Sequence, residues 1–185
     1  MNKTNYVFLG DSIFANFTQL STLKNSKNLA IPGNKLVNLF SDLIPLKRLS
    51  PKCVYILIGI NDYLLKKSMF DITMDVLFEK SFELFLDMFK TNFPNSKLYV
   101  LSILPMVDRL NPAKTLDFNN EIAFINQNIL KYVNRFNYTF INVSEAFISN
   151  GSPIKTFYTQ DGIHLNVKGY AVLHAILKEH MGESL

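Results

Sequence analysis

The chain predicts an α/β fold, a parallel sheet with helices on both faces, and three observations carry that prediction. Short apolar, β-branched runs alternate with longer segments at helical spacing. The run Val54-Tyr55-Ile56-Leu57-Ile58 is apolar without a break, as suits a central parallel strand buried on both sides. Residues able to do chemistry gather just after the predicted strands, where ligands bind in open sheets of this kind.

Each element has its own justification. Tyr6-Val7-Phe8-Leu9 is a first strand, and a helix over 12–23 follows it. Asn28-Leu29-Ala30-Ile31 is a second strand, ended by Pro32-Gly33. Residues 34–46 carry Leu36, Leu39, Phe40 and Leu43 at helical spacing. The third strand is 54–58. A long amphipathic helix over 71–92 comes next, with Val76, Leu77, Phe82, Phe85, Leu86 and Phe89 on one side and Pro94 as its stop. Residues 98–103 form a fourth strand, 115–134 a helix, and 140–143 a fifth strand. A helix over 167–180 closes the chain, with Asn166 as its N-cap. No repeat or linker divides it, so one domain over 1–185 is expected.

Composition excludes several classes. With 48% hydrophobic and 18% charged residues, the 185-residue chain can build a core and is not disordered. The net charge of +4 is scattered, and Lys66-Lys67 and Lys47-Arg48 are too short to form a nucleic-acid stripe. No apolar run is long enough to span a bilayer, so stable membrane insertion is not expected. A single cysteine, Cys53, reads as a small buried hydrophobe. With no N-terminal signal visible, a cytoplasmic location is expected.

The chemistry rests on three groups of residues. Ser12, in Gly10-Asp11-Ser12, sits at a strand-to-helix turn, where free N–H groups favour developing negative charge. The same residues also suit plain turn and cap duties. No Gly-x-Ser-x-Gly elbow is present, which argues against an ordinary α/β-hydrolase. His164 lies three residues after Asp161, so a carboxylate there can fix the imidazole tautomer. The bland alternative is a turn in which Asp161 bonds its own backbone. Gly33 and Asn61 offer a backbone and an amide N–H for an oxyanion, or a turn glycine and an Asx-turn. One histidine with one nearby acid is too small a set for a metal.

Four blocks in order resemble the SGNH hydrolases, also called the GDSL esterase/lipase family: Phe8-Leu9-Gly10-Asp11-Ser12-Ile13, Ala30-Ile31-Pro32-Gly33, Ile58-Gly59-Ile60-Asn61-Asp62, and Asp161-Gly162-Ile163-His164-Leu165-Asn166 with Gly169-Tyr170. In the second block Pro32 and Asn34-Lys35 depart from the small or hydroxylic neighbours common there. The resemblance implies a three-layer α/β/α fold on a five-stranded, flavodoxin-like parallel sheet. It implies Ser12 as nucleophile, His164 as base and Asp161 as its orienting acid. The oxyanion donors would be the N–H groups of Ser12 and Gly33 and the Asn61 side chain. It implies an acyl-enzyme and no metal or cofactor. Short esters or O-acetyl carbohydrates are the expected substrates. The alternatives are lysophospholipase, thioesterase or acyltransferase chemistry on the same triad.

Two segments after the third and fourth strands, 63–70 and 104–110, are expected to be loops that select the substrate. Leu64, Met106 or Val107 would line an acyl pocket there, and Lys66 or Arg109 would meet an anionic group.

Overall fold

Side chains along a strand point alternately to its two faces, and the strands here use both. In the computed structural model, which describes residues 4–69, 73–108 and 112–181, five strands form one sheet. They are β1 (Tyr6–Gly10), β2 (Ser26–Asn28), β3 (Cys53–Leu57), β4 (Lys97–Leu101) and β5 (Thr139–Ile141), in the order β2-β1-β3-β4-β5. Every pair in this sheet is parallel. The helices are α1 (Ser12–Ala15), α2 (Leu39–Leu49), α3 (Ile60–Met69), α4 (Thr73–Asn92), α5 (Pro112–Arg135) and α6 (Val167–Met181). A small antiparallel hairpin, β6 (Ile148–Ser149) with β7 (Ser152–Pro153), precedes α6. The expected three-layer α/β/α fold on a five-stranded parallel sheet is what the chain adopts.

Alternation sorts the core into two layers. Val7, Leu9, Val54, Ile56 and Val100 pack with α2, α4 and α5 residues such as Leu43, Phe85, Phe89 and Ile129. Phe8, Tyr55 and Leu57 pack with Phe14 of α1 and Leu173 and Leu177 of α6. On that second face an aromatic row crosses three strands. Phe8 pairs with Tyr55 and Tyr55 with Tyr99 in register, at ring-centroid separations of 5.3 and 4.5 Å. Such stacks add stabilisation beyond area burial. They fix how β1, β3 and β4 sit beside one another, and so where their carboxyl ends lie.

Strand order reverses at β1, whose two neighbours are β2 and β3. That reversal opens a crevice at the carboxyl ends of β1 and β3.

The expected helix over 12–23 is a four-residue α1 followed by a 3-10 turn at Thr18–Thr22. The Phe14 carbonyl explains the break. It accepts from the Phe17 N–H at 3.1 Å and from Asn28 Nδ2 at 2.7 Å, and the chain turns to bury Phe17 completely. The segment expected as a loop after β3 is helix α3 through Met69. Leu77, expected on the buried side of α4, is 56% exposed. The second strand is registered over 26–28, yet the N–H groups of Leu29 and Ile31 still donate to Phe8 and Gly10 carbonyls.

Candidate active site

Asp11 comes directly off β1 and turns the chain. Its Oδ1 accepts from the Ile13 N–H at 2.9 Å, which caps α1 and points Ser12 into the crevice. Both the capping role and the placement of Ser12 therefore hold. Because α1 is only one turn long, any stabilisation of negative charge here comes from free N–H groups rather than a long helix dipole. Asp11 is fully buried, and burial drives its carboxyl up to about 7 against the pull of the Ile13 N–H.

The loop before α6 brings the other two groups. His164 Nε2 lies 2.8 Å from Ser12 Oγ, across 152 residues of sequence. His164 Nδ1 lies 2.6 Å from Asp161 Oδ2. A carboxylate only accepts, so Nδ1 carries the hydrogen and Nε2 is left as the acceptor facing the serine hydroxyl.

Asp161 also closes the turn that was its bland alternative. Its Oδ1 accepts from the N–H groups of Ile163 and His164, at 2.8 and 2.9 Å, and from the Thr159 hydroxyl. Burial alone would raise this carboxyl. The bonds from the His164 ring, the two N–H groups and Thr159 outweigh it and hold Asp161 ionised, well below the usual carboxylate range.

The loop is anchored at several points. The Val107 N–H donates to the Gly162 carbonyl at 2.8 Å, and the Tyr158 hydroxyl to the Pro105 carbonyl at 2.6 Å. Gly162 has φ +75°, and a Cβ there would collide with the Val107 carbonyl. Asn166 caps α6 as expected, its Oδ1 accepting from Lys168 and Gly169. Tyr170 on α6 donates to the Ile13 carbonyl at 3.0 Å, tying that helix to the turn that holds Ser12.

Gly33 and Asn61 form a second pair of arms. Ile31-Pro32-Gly33-Asn34 is a β-turn closed by the Asn34 N–H on the Ile31 carbonyl at 3.1 Å, with Gly33 at φ +80°. That is the type II pattern, with proline first and glycine at the positive φ, and it leaves the Gly33 N–H outside the turn's own bond. Pro32, a departure from the family pattern, thus presets this turn. Asn61, in the first turn of α3, donates through Nδ2 to the Asn34 carbonyl at 2.9 Å. The Asp62 carboxylate accepts from the Leu36 N–H at 3.0 Å, and burial raises it to about 6 despite that bond.

Asn34, Asp62 and Tyr170 hold this geometry without having been singled out for it. Asp62 and Tyr170 stand inside the quoted blocks, but their partners, Leu36 and Ile13, are distant in sequence and nothing local points to them. The expected acyl-pocket residues separate. Met106 and Val107, expected to line an acyl pocket, are buried in the core, at 7% and 1% exposed. Met106 lines a small cavity with Ile13 and Ile163, Val107 braces Gly162, and Leu64 is half-buried against the α4 side of the core. Arg109 and the Lys66 side chain lie outside the described residues. Among the described residues no cluster of histidine, cysteine or acid could hold a metal, and no helix is long and apolar enough to cross a membrane.

Solved structures share the fold. A GDSL-like lipase from Bacteroides thetaiotaomicron is 21% identical with a TM-score of 0.77, covering 99% of this chain and 90% of its own. An acetyl xylan esterase is 20% identical with a TM-score of 0.76, over 96% of this chain and all of its own (100%). A catalytic mutant of an acetylxylan esterase from Geobacillus stearothermophilus is 15% identical with a TM-score of 0.75, over 98% and 97%. No curated protein sequence matches the chain. The model of the GDSL-like Lipase/Acylhydrolase family matches residues 8–172, from the middle of β1 into α6. That span takes in all four sequence blocks, and the chain accordingly belongs to this family, the SGNH-type carboxylic ester hydrolases.

Proposed function

We propose that the protein hydrolyses small acyl esters, acetyl esters foremost, through an acyl-enzyme on Ser12. The observation that carries this reading is the unbroken chain Ser12 Oγ–His164 Nε2–Asp161, at 2.8 and 2.6 Å. His164 takes the Ser12 proton as Oγ attacks the ester carbonyl, and the ionised Asp161 stabilises the imidazolium that forms. The oxyanion is received by the N–H groups of Ser12 and Gly33 and by Asn61. The Asn61 amide has two hydrogens. One is spent on the Asn34 carbonyl, which aims the group, and the other remains for the oxyanion. His164 then protonates the departing alcohol, and water, activated by the same imidazole, releases the acid.

The acetyl xylan esterases of the same fold supply the carbohydrate acetate as the substrate to try first.

A series of p-nitrophenyl acetate, butyrate and octanoate tests the reading. The acetate should be turned over fastest and the octanoate slowest. A preference for octanoate overturns the short-acyl assignment, and no turnover of any of them overturns the esterase reading.

A further inference from the structure

Behind the oxyanion arms lies a second cavity, of about 230 Å³. None of Ser12, Gly33, Asn61, Asp161 and His164 lines it, so it is not the space in which the ester reacts. Its walls include Leu36, Tyr63, Phe78 and Ile125. Three apolar side chains at its edge stand out in solvent: Val37, Leu77 and Phe124 are 62%, 56% and 60% exposed. Scattered exposed apolar residues are ordinary, but three converging on one concave, apolar site mark a place that binds.

The chemistry of the walls narrows the occupant. An apolar cavity of about 150 Å³ admits a benzene ring, so this one takes one ring with a small substituent. Both carboxylates at its edge are already engaged. The Glu79 carboxylate accepts from Asn128 Nδ2 at 2.7 Å, and Asp62 accepts from the Leu36 N–H. Two carboxylates, Glu79 and Asp62, face one cation, Lys35, which disfavours an anion.

We propose that this cavity is a second binding site, for one uncharged aryl ring or an alkyl group of similar bulk, whose occupant changes the rate of the ester reaction through the two oxyanion arms. The route is short. Leu36 and Tyr63, in its wall, follow Gly33 and Asn61 by three and two residues. The arms are bonded to each other at Asn61–Asn34 and Asp62–Leu36. An occupant that presses on Leu36 and Tyr63 bears on both donors at once. Because it does not share space with the ester, its effect on kcat persists at saturating ester. The binding stands apart from the esterase reading, and only its effect on turnover rests on that reading.

Toluene is the probe, with benzoate as its charged counterpart. In amide-resolved NMR titrations of the whole protein, toluene should give saturable shifts at Leu36, Tyr63 and Ile125, with benzoate at least tenfold weaker. Saturating toluene should change kcat for p-nitrophenyl acetate at least twofold. Phe124→Ala, at an exposed position that leaves the fold intact, should weaken toluene binding severalfold. Ser81→Phe, which fills the cavity, should abolish it. Labelling of Ser12 by a fluorophosphonate, measured in each variant, reports the ester site separately. The proposal is overturned by an absence of saturable shifts or by equal binding of benzoate. It is equally overturned by shifts centred on Ser12 and His164 with a rising KM, or by binding that leaves kcat unchanged. Were the protein to lack esterase activity, the NMR arm would still decide the site.

Discussion

Asn61 donates its side-chain N–H to the Asn34 carbonyl at 2.9 Å, so the segments that follow β2 and β3, carrying Gly33 and Asn61, are bonded to each other. In the proposed reaction both are oxyanion donors, and donors fixed in advance act without reorganising during the reaction.

Removing that amide tests it. Asn61→Ala should fold normally and lose ester turnover by roughly a hundred- to thousandfold, the usual effect of one lost oxyanion donor. Steady-state kinetics on p-nitrophenyl acetate reads the loss, and near-normal kcat in the folded variant would remove Asn61 from the mechanism.

Ser12→Ala should abolish covalent labelling by a fluorophosphonate while leaving the thermal unfolding midpoint close to that of the parent. The serine hydroxyl faces His164, and α1 is capped by Asp11, whose bond to the Ile13 N–H the substitution does not touch. Persistent labelling would point to another nucleophile.

Asp161 does two jobs with two oxygens, and substitution can separate them. Asp161→Asn keeps an oxygen that can close the turn onto Ile163 and His164, but it takes away the negative charge opposite Nδ1. Turnover should fall by roughly a thousand- to ten-thousandfold with little change in stability. Asp161→Ala should lose both the turn and the chemistry, with a lower unfolding midpoint. Equal stability of the two variants would mean that the turn contributes nothing.

The raised carboxyl of Asp11 makes stability depend on pH in a predictable sense. Its folded value, about 7, lies above its ordinary 3.8, so the native state keeps a proton that the unfolded chain releases. Its contribution is therefore most favourable below pH 4 and is lost as pH rises through 7. At about 1.4 kcal/mol per tenfold change in proton affinity, the full effect has an upper limit of about 4 kcal/mol. Asp11→Asn should flatten the fall in unfolding midpoint between pH 5 and pH 8.5. Parallel curves for parent and variant would show that Asp11 is not the group responsible.

Gly162→Ala should lower both stability and turnover, because φ is +75° and the added methyl meets the Val107 carbonyl. Strain of this kind costs roughly 1–3 kcal/mol. The turnover loss should exceed that of a variant equally destabilised elsewhere, since the same loop carries Asp161 and His164. Matched losses would mean that the loop's position is not what the glycine protects.

By itself the sequence determined the α/β alternation, the five strands, and the presence of a serine, an imidazole and a carboxylate in blocks that name the family. Those are matters of short-range pattern: apolar spacing sets strand or helix, and a block of six residues carries its own turn. Even the bland readings of Asp11 and Asp161 were legible for this reason, because a cap and an Asx-turn bond only to residues two or three positions on. Only the tertiary structure decided where helix 12–23 breaks, because the cause is Asn28 reaching back to the Phe14 carbonyl. It also decided that Met106 and Val107 are buried, that Asp62 binds Leu36, and that Tyr170 holds Ile13. Each of these depends on contacts between segments distant along the chain, and local spacing carries no information about which partner a side chain meets once the sheet has closed the distance.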